Sequence, residues 1–292
     1  MTEPQHYSAE TPKDNSTVKC VLGILGAVVA FLSTKLCARL IISSGIDPIM
    51  ATVVLRSVLA VLFIVLLGGG SWLRFSPQTV RNAWKYSWFM IVINIALSLL
   101  ITLNLAMQFL QGELDTSSAV YWVGYSTVLC ILIGVNEEGM FRGLLLGGML
   151  AKMGNKKNGP LIAAIVSSLV FGAVHVIFDM DFSNALVIAM GLLKTLETSM
   201  FALVLCAPVM QDKNLCGAMT VHAFFDWVIL CGSTVAEGGM RAPTYVSADP
   251  QVAIPTMIVF GVLVLLYLPK TIRAIKDLRD MELPQYGPFI EG

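Results

Sequence analysis

The sequence predicts an all-α, polytopic membrane protein with about eight transmembrane helices and both termini in the cytoplasm. Hydrophobic residues make up 56% of the 292-residue chain and charged residues only 13%, with a mean hydropathy of +0.77. A soluble domain of this length needs more polar surface than this composition supplies. The net charge is zero, so we expect a lipid bilayer and no nucleic acid among the partners.

Apolar runs of about 20 residues, the length that crosses roughly 30 Å of hydrocarbon, define the predicted helices. They cover residues 20–42, 49–69, 86–109, 118–150, 159–178, 183–208, 214–232 and 252–269. In the first run, Lys35 and Arg39 either snorkel to the far interface or mark a shorter helix. The fourth run is about 10 residues too long for one pass, and its first part, 113–124, is interpreted as an interfacial helix or a re-entrant segment.

The connecting segments differ in charge. Lysine and arginine concentrate in the N-terminal tail, in the loops 74–85 and 152–157, and after residue 269. The alternate loops are acidic, with Asp47 and Asp115 as examples. Because cytoplasmic loops have an excess of basic residues, this distribution predicts cytoplasmic termini.

Ionisable residues also occur inside the apolar runs. Glu137, Glu138 and Arg142 lie in the fourth run, and two of the three histidines, His175 and His222, lie in later ones. A charge at the centre of a bilayer costs about 2.5–3.5 kcal/mol on insertion scales, so such residues usually belong to a functional site. The sequence therefore predicts a catalytic site inside the membrane.

Helical spacing predicts different roles for the two glutamates. Glu138 and Arg142 are four residues apart, so they share a helix face and can form an ion pair. Glu137 is rotated by about 100° and has no cation on its own face. We therefore expect the paired Glu138 to be structural and Glu137 to be the general base.

Two further helices are expected to contribute to the same site. Phe171 and His175 are four residues apart, with Asp179 expected at the next helical turn. His222 and Asp226 are also four residues apart. Together the three helices would supply a base, two imidazoles and a second carboxylate.

Three short motifs occur in order, each on a separate predicted helix: EEGMFR (137–142), FGAVH (171–175) and HAFFD (222–226). They resemble the motifs EExxxR, FxxxH and HxxxN/D of the CPBP intramembrane proteases, also called the Abi family. That family includes the type II CAAX prenyl endopeptidases and bacterial proteins linked to bacteriocin processing and immunity. The resemblance covers about residues 118–232.

The resemblance implies roles for individual residues. Glu137 matches the proposed base that activates water, and His175 and His222 match residues that orient this water and stabilise the oxyanion. Asp226 stands where many members have asparagine. Because an ionised carboxylate would repel an oxyanion, we expect Asp226 to orient His222 or to stay protonated.

The same resemblance bears on which residues support the site and on whether the site binds a metal ion. Glu138, Arg142 and Phe171 are expected to hold the site together. No cofactor is required for glutamate catalysis, but His175 and His222 could bind zinc together with a carboxylate. The sequence lacks HExxH, and its six cysteines have no paired spacing, so neither a metal motif nor a disulfide framework is predicted.

Three other charges lie within apolar runs. Lys194 and Glu197 are three residues apart and are interpreted as a structural pair, with substrate contact as the alternative. Arg56 has no local partner and is expected to pair with one of the buried acids.

The predicted function is that of an intramembrane endopeptidase. Its substrate would be a membrane-anchored or hydrophobic peptide, of the CAAX type or a bacteriocin or signalling peptide. The alternatives are a catalytically silent scaffold or immunity protein that binds a membrane protein partner, and a transporter, although no paired half-repeats are visible. The membrane would be the cell membrane in a bacterium and the endoplasmic reticulum membrane in a eukaryote.

The predicted organisation has four parts. Residues 1–18 form a polar, disordered cytoplasmic tail, and 19–117 form helices without motifs. Residues 118–232 form the catalytic core, and 233–292 the last helix with a basic tail.

Overall fold

A computed structural model describes residues 15–43, 45, 47–241 and 244–291. Within these ranges the regular structure is helical, without strands. The eleven α-helices are α1 (Ser16–Leu36), α2 (Ala38–Ser43), α3 (Pro48–Leu66), α4 (Pro77–Leu110), α5 (Thr116–Glu138), α6 (Gly147–Met153), α7 (Gly159–Val174), α8 (Ala185–Asp212), α9 (Cys216–Glu237), α10 (Pro250–Arg279) and α11 (Pro288–Glu291). A 3₁₀ turn at Gly70–Leu73 and a π-helical segment at Gly139–Leu146 complete the set. The prediction of an all-α fold is confirmed.

Seven of these helical runs are long and apolar enough to cross a membrane. The remaining predicted span, the fifth in order (159–178), corresponds to α7, an apolar helix of 16 residues that is shorter than expected. These apolar helices identify the chain as an integral membrane protein. The cytoplasmic position of both termini stays a prediction.

Two predicted boundaries were wrong. Thr116 begins a helix that continues without interruption to Glu138, so residues 116–124 form neither a separate interfacial helix nor a re-entrant segment. The first helix begins at Ser16, so the last residues of the expected disordered tail are helical, while residues 1–14 lie outside the described part of the chain. Lys35 lies in the last turn of α1, which favours the shorter first helix; the Arg39 side chain lies outside the described residues.

Acidic side chains begin several helices. Asp47, Asp115 and Asp249 each accept a hydrogen bond from a backbone N–H in the first turn of α3, α5 and α10 respectively. Proline follows Asp47 and Asp249 at the first helical position, where its missing N–H has no intrahelical partner to lose. The acidic residues of the loops are therefore N-caps as well as topology signals.

The packing of the bundle places α8 at its centre and α5 directly against α9. Every residue of α8 from Glu197 to Met210 is buried. A Cβ added at Gly134 of α5 would press against the carbonyl of Met219 and come within 3.1 Å of the Ala223 Cβ on α9. Small residues at such positions let two membrane helices approach closely, and this approach brings together the two helices that contain Glu137 and His222.

The outer faces of the helices are apolar. Leu66, Leu100 and Leu110 are each at least 69% exposed. In water such a surface would drive association, whereas in a bilayer it contacts acyl chains. Polar chemistry is thereby confined to the interior of the bundle.

Candidate active site

The site begins where α5 passes directly into a π-helical segment. Glu137 and Glu138 are the last two residues of α5, and Arg142 lies in the following π-helical segment, Gly139–Leu146. π-Helical turns are rare and often occur at functional sites. The sequence contains no proline or similar signal that would have predicted this segment.

Glu138 and Arg142 form the ion pair that the sequence predicts. Arg142 Nη1 lies 3.1 Å from Glu138 Oε1, and both side chains are 0% exposed. The guanidinium N–H groups are not aligned on the carboxylate, so the contact is an ion pair without a well-formed hydrogen bond. The guanidinium carbon also lies 4.5 Å above the ring of Phe171, which adds a cation–π contact.

His175 is held by the main chain. Helix α7 ends at Val174, and the Nδ1 of His175 lies 2.7 Å from the carbonyl oxygen of Phe171. A carbonyl only accepts, so Nδ1 is the donor and Nε2 of the neutral ring is a hydrogen-bond acceptor. Asp179 was expected one helical turn beyond His175, but this was wrong because the helix has already ended.

His222 is held by a side chain. Its Nδ1 lies 2.7 Å from Oε1 of Glu138, the same oxygen that contacts Arg142. Because the carboxylate accepts this hydrogen bond, Nε2 of the neutral ring is again an acceptor. Asp226 contacts the opposite side of the ring, with Oδ2 3.7 Å from Nε2, so the geometry favours Glu138 over Asp226 as the residue that orients His222.

The free ends of both imidazoles point at the same carboxylate. Oε2 of Glu137 lies 3.4 Å from Nε2 of His222 and 3.8 Å from Nε2 of His175. Three acceptors cannot bond to one another without hydrogens between them. A water molecule placed between them can donate one hydrogen to the carboxylate and the other to an imidazole.

The two histidines reach one carboxylate although they lie at different positions on their helices. His175 follows the last residue of α7, whereas His222 is in the second turn of α9. The turn before α9 is buried, because Leu215 is 0% exposed and its N–H donates to the carbonyl of Trp72. Helix α9 therefore begins at a buried residue, and from its second turn His222 reaches the carboxylate that His175 reaches from the end of α7.

The site opens into a cavity of about 310 Å³. Its wall includes Glu137, the two histidines and Asp226, and also Lys194, Glu197 and Arg56. Lys194 Nζ lies 2.8 Å from Glu197 Oε2, so the predicted pair is present and also lines the cavity.

Tyr245 is a wall residue that sequence reasoning missed. It lies in the loop between α9 and α10, its ring centroid is 6.1 Å from that of His175, and Lys194 Nζ lies 4.5 Å from its ring centroid. Burial raises the pKa of the Tyr245 phenol, which keeps the hydroxyl neutral. No spacing rule connects a loop tyrosine to the three motifs.

A catalytic zinc ion needs three protein ligands arranged around one point. Across the described ranges, no group of three or more His, Cys, Asp or Glu side chains is arranged to hold one. The zinc alternative, with His175 and His222 as ligands, gains no support from this geometry, and neither does the assignment as a metalloprotease. All six cysteines are free thiols.

Together the fold and the site define a polytopic helical membrane protein with an enclosed glutamate–imidazole site. Residues 118–228 match the family model of the type II CAAX prenyl endopeptidases, Rce1-like. This segment contains all three motifs, so the match confirms the resemblance to the CPBP proteases. Comparison with curated proteins and with solved structures found no significant match.

Proposed function

We propose that the protein is an intramembrane endopeptidase that hydrolyses a peptide bond of a membrane-associated substrate with water activated by Glu137. The observation that supports this most directly is the convergence of the Glu137 carboxylate on two imidazole Nε2 atoms, at 3.4 and 3.8 Å. The similarity of residues 118–228 to a family of prenyl-protein endopeptidases supports the same reaction class.

The first step is proton transfer from water to Glu137. A water that donates its two hydrogens to Glu137 and to one imidazole has its lone pairs directed away from them, toward the cavity. As its oxygen bonds to the substrate carbonyl carbon, Glu137 takes the proton. The second hydrogen of the water stays on the attacking oxygen and keeps its hydrogen bond to the imidazole Nε2, which holds the tetrahedral intermediate in position.

The second step is collapse of the intermediate. The carbon–nitrogen bond breaks, and the proton held by Glu137 passes to the leaving amine, so the reaction consumes one water and regenerates the carboxylate. Glu138 and Arg142 do not touch the substrate in this scheme; through the hydrogen bond of Glu138 to Nδ1, they orient His222. Asp226 faces Nε2 of His222 from the cavity side and would lie near the intermediate.

The substrate class is an apolar peptide that reaches the cavity from the bilayer, either a CAAX-type C-terminus or a bacteriocin or signalling peptide. Water must reach the same place, and only a cavity lined by protein can contain it at membrane depth. The cavity of about 310 Å³ supplies such a space.

The test is cleavage of a library of membrane-anchored peptides by purified protein in nanodiscs, with prenylated C-terminal peptides and apolar signal-type peptides included. Glu137→Gln keeps the shape and removes the base, so we expect a loss of roughly 10² to 10⁴-fold in kcat. Glu237→Gln, at a side chain 43% exposed on the same chain, is the matched control and should leave kcat unchanged.

Three outcomes would contradict the proposal. Glu137→Gln protein that cleaves within tenfold of the wild-type rate would exclude Glu137 as the base. Activity that a chelator removes and added zinc restores would indicate a metalloprotease instead. Wild-type protein that cuts no peptide, together with Glu137→Gln protein that keeps its function in cells, would favour a scaffold.

A further inference from the structure

Arg56 differs from Arg142 and Lys194, the two other cations at the site, because it has no acidic partner among the residues that the structure describes. Arg142 pairs with Glu138 and Lys194 pairs with Glu197. The Arg56 guanidinium instead donates one hydrogen bond, from Nη2 to the carbonyl oxygen of Phe31 at 2.8 Å. The expected pairing of Arg56 with a buried acid is thus not formed within this part of the chain.

The guanidinium is fixed in place with most of its donors unused. Its carbon lies 4.7 Å from the centroid of the Phe31 ring, and its buried Nε has no hydrogen-bond partner within the described ranges. A guanidinium has five N–H donors, of which the Phe31 carbonyl takes one. A cation at membrane depth is costly, and such residues usually belong to a functional site.

Arg56 lines the same cavity as Glu137. No ion pair joins the two side chains among the described residues, so both face the same cavity without neutralising each other. Ile49 and Val53 of α3 also line this wall, and their spacing from Arg56 places all three on one helix face. The wall is therefore an apolar stripe that ends at a cation, within the cavity that contains the proposed base.

We infer that Arg56 binds a carboxylate of the peptide substrate and thereby sets which bond reaches Glu137; this inference rests on the proposed function. A planar guanidinium matches the two oxygens of a carboxylate in a bidentate contact. The apolar stripe fits hydrophobic side chains next to that carboxylate. The carboxylate has two sources, the free C-terminus of a peptide or an acidic side chain within it.

The experiment measures binding of three dansylated peptides to the full-length Glu137→Gln protein in nanodiscs, so that cleavage does not consume the probe. The first is a pentapeptide of leucine, valine and isoleucine with a free C-terminal carboxylate, and the second is its carboxamide. The third is a carboxamide that contains one internal glutamate. We expect the free acid to bind about 10 to 100-fold more tightly than the carboxamide, as charge-assisted hydrogen bonds provide.

Substitutions of Arg56 identify the group responsible. Arg56→Gln should bind the acid as weakly as the carboxamide, and Arg56→Lys, which keeps the charge but loses the planar fork, should lie between. Tighter binding of the internal-glutamate peptide alone would identify an acidic side chain as the source. Arg241→Gln, at a side chain 83% exposed, is the control and should change none of the three constants.

Equal binding of all three peptides, including no binding of any of them, would overturn the inference. So would an equal loss of affinity for all three peptides in Arg56→Gln protein, because that result describes a structural residue. If Arg56→Gln does not fold, Arg56→Lys is measured instead. A preference of this variant for the free acid over the carboxamide that equals the wild-type preference would then overturn the inference. Retained catalysis by Glu137→Gln protein would instead refute the proposed function and leave these binding results unchanged.

Discussion

Replacement of Glu138 by glutamine tests whether the buried ion pair holds the site together. The change keeps an amide oxygen that can accept from His222 Nδ1 but removes the charge opposite Arg142. Both side chains are 0% exposed, so water cannot solvate the guanidinium that is left. Breaking a buried pair on one side typically costs about 3–5 kcal/mol.

The lower end of this range applies here, because the Arg142 N–H groups are not aligned on the carboxylate and the Phe171 ring keeps a cation–π contact in the variant. About 3 kcal/mol corresponds to a fall in Tm of roughly 6 to 12 °C for a chain of this size. The Glu237→Gln variant removes one member of an exposed pair with Arg241 and should lower Tm by less than about 2 °C.

The assay is thermal unfolding in detergent, followed with a fluorogenic thiol reagent. Cys206 and Cys130 are 0% and 1% exposed, so they react only when the bundle opens. The double variant Glu138→Gln/Arg142→Met removes both charges at similar volume and should be more stable than Glu138→Gln alone. A Tm of Glu138→Gln within 2 °C of wild type, or a double variant less stable than Glu138→Gln alone, would refute the reasoning.

Two further changes address packing and chemistry. Gly134→Val would push α5 away from the Met219 carbonyl and should lower kcat about 100-fold, because a shift near 1 Å is sufficient for that loss. The control is Gly124→Val in the same helix, where nothing lies within 4 Å, and its kcat should match that of the wild type. Equal activity of the two variants would contradict the packing argument. Asp226→Asn places an amide donor 3.7 Å from His222 Nε2, and we expect kcat to stay the same or to rise by up to about tenfold. A more than tenfold loss of kcat at unchanged KM would show that the carboxylate itself is needed.

The features that depend on local spacing were predictable from the sequence. The apolar runs identified the membrane helices, and the i,i+4 spacing identified the Glu138–Arg142 pair. The same rule places Phe171 and His175 together, and their rings are 4.6 Å apart.

The features that depend on tertiary packing were not predictable. The end of α7 at Val174, the π-helical segment after Glu138 and the buried start of α9 have no local signal. These three features together decide that both imidazoles meet Glu137. For the same reason the contact of Glu138 with His222 across two helices was missed, and Asp226 was expected to orient the ring instead.

The two imidazoles differ in how easily mutation can release them. The partner of His175 Nδ1 is the main-chain carbonyl of residue 171, which every substitution retains. The partner of His222 Nδ1 is the Glu138 side chain, which most substitutions would remove. A substitution at position 171 therefore leaves the hydrogen bond to His175 in place and removes only contacts of the ring, such as the cation–π contact with Arg142, whereas most substitutions at position 138 release the ring of His222.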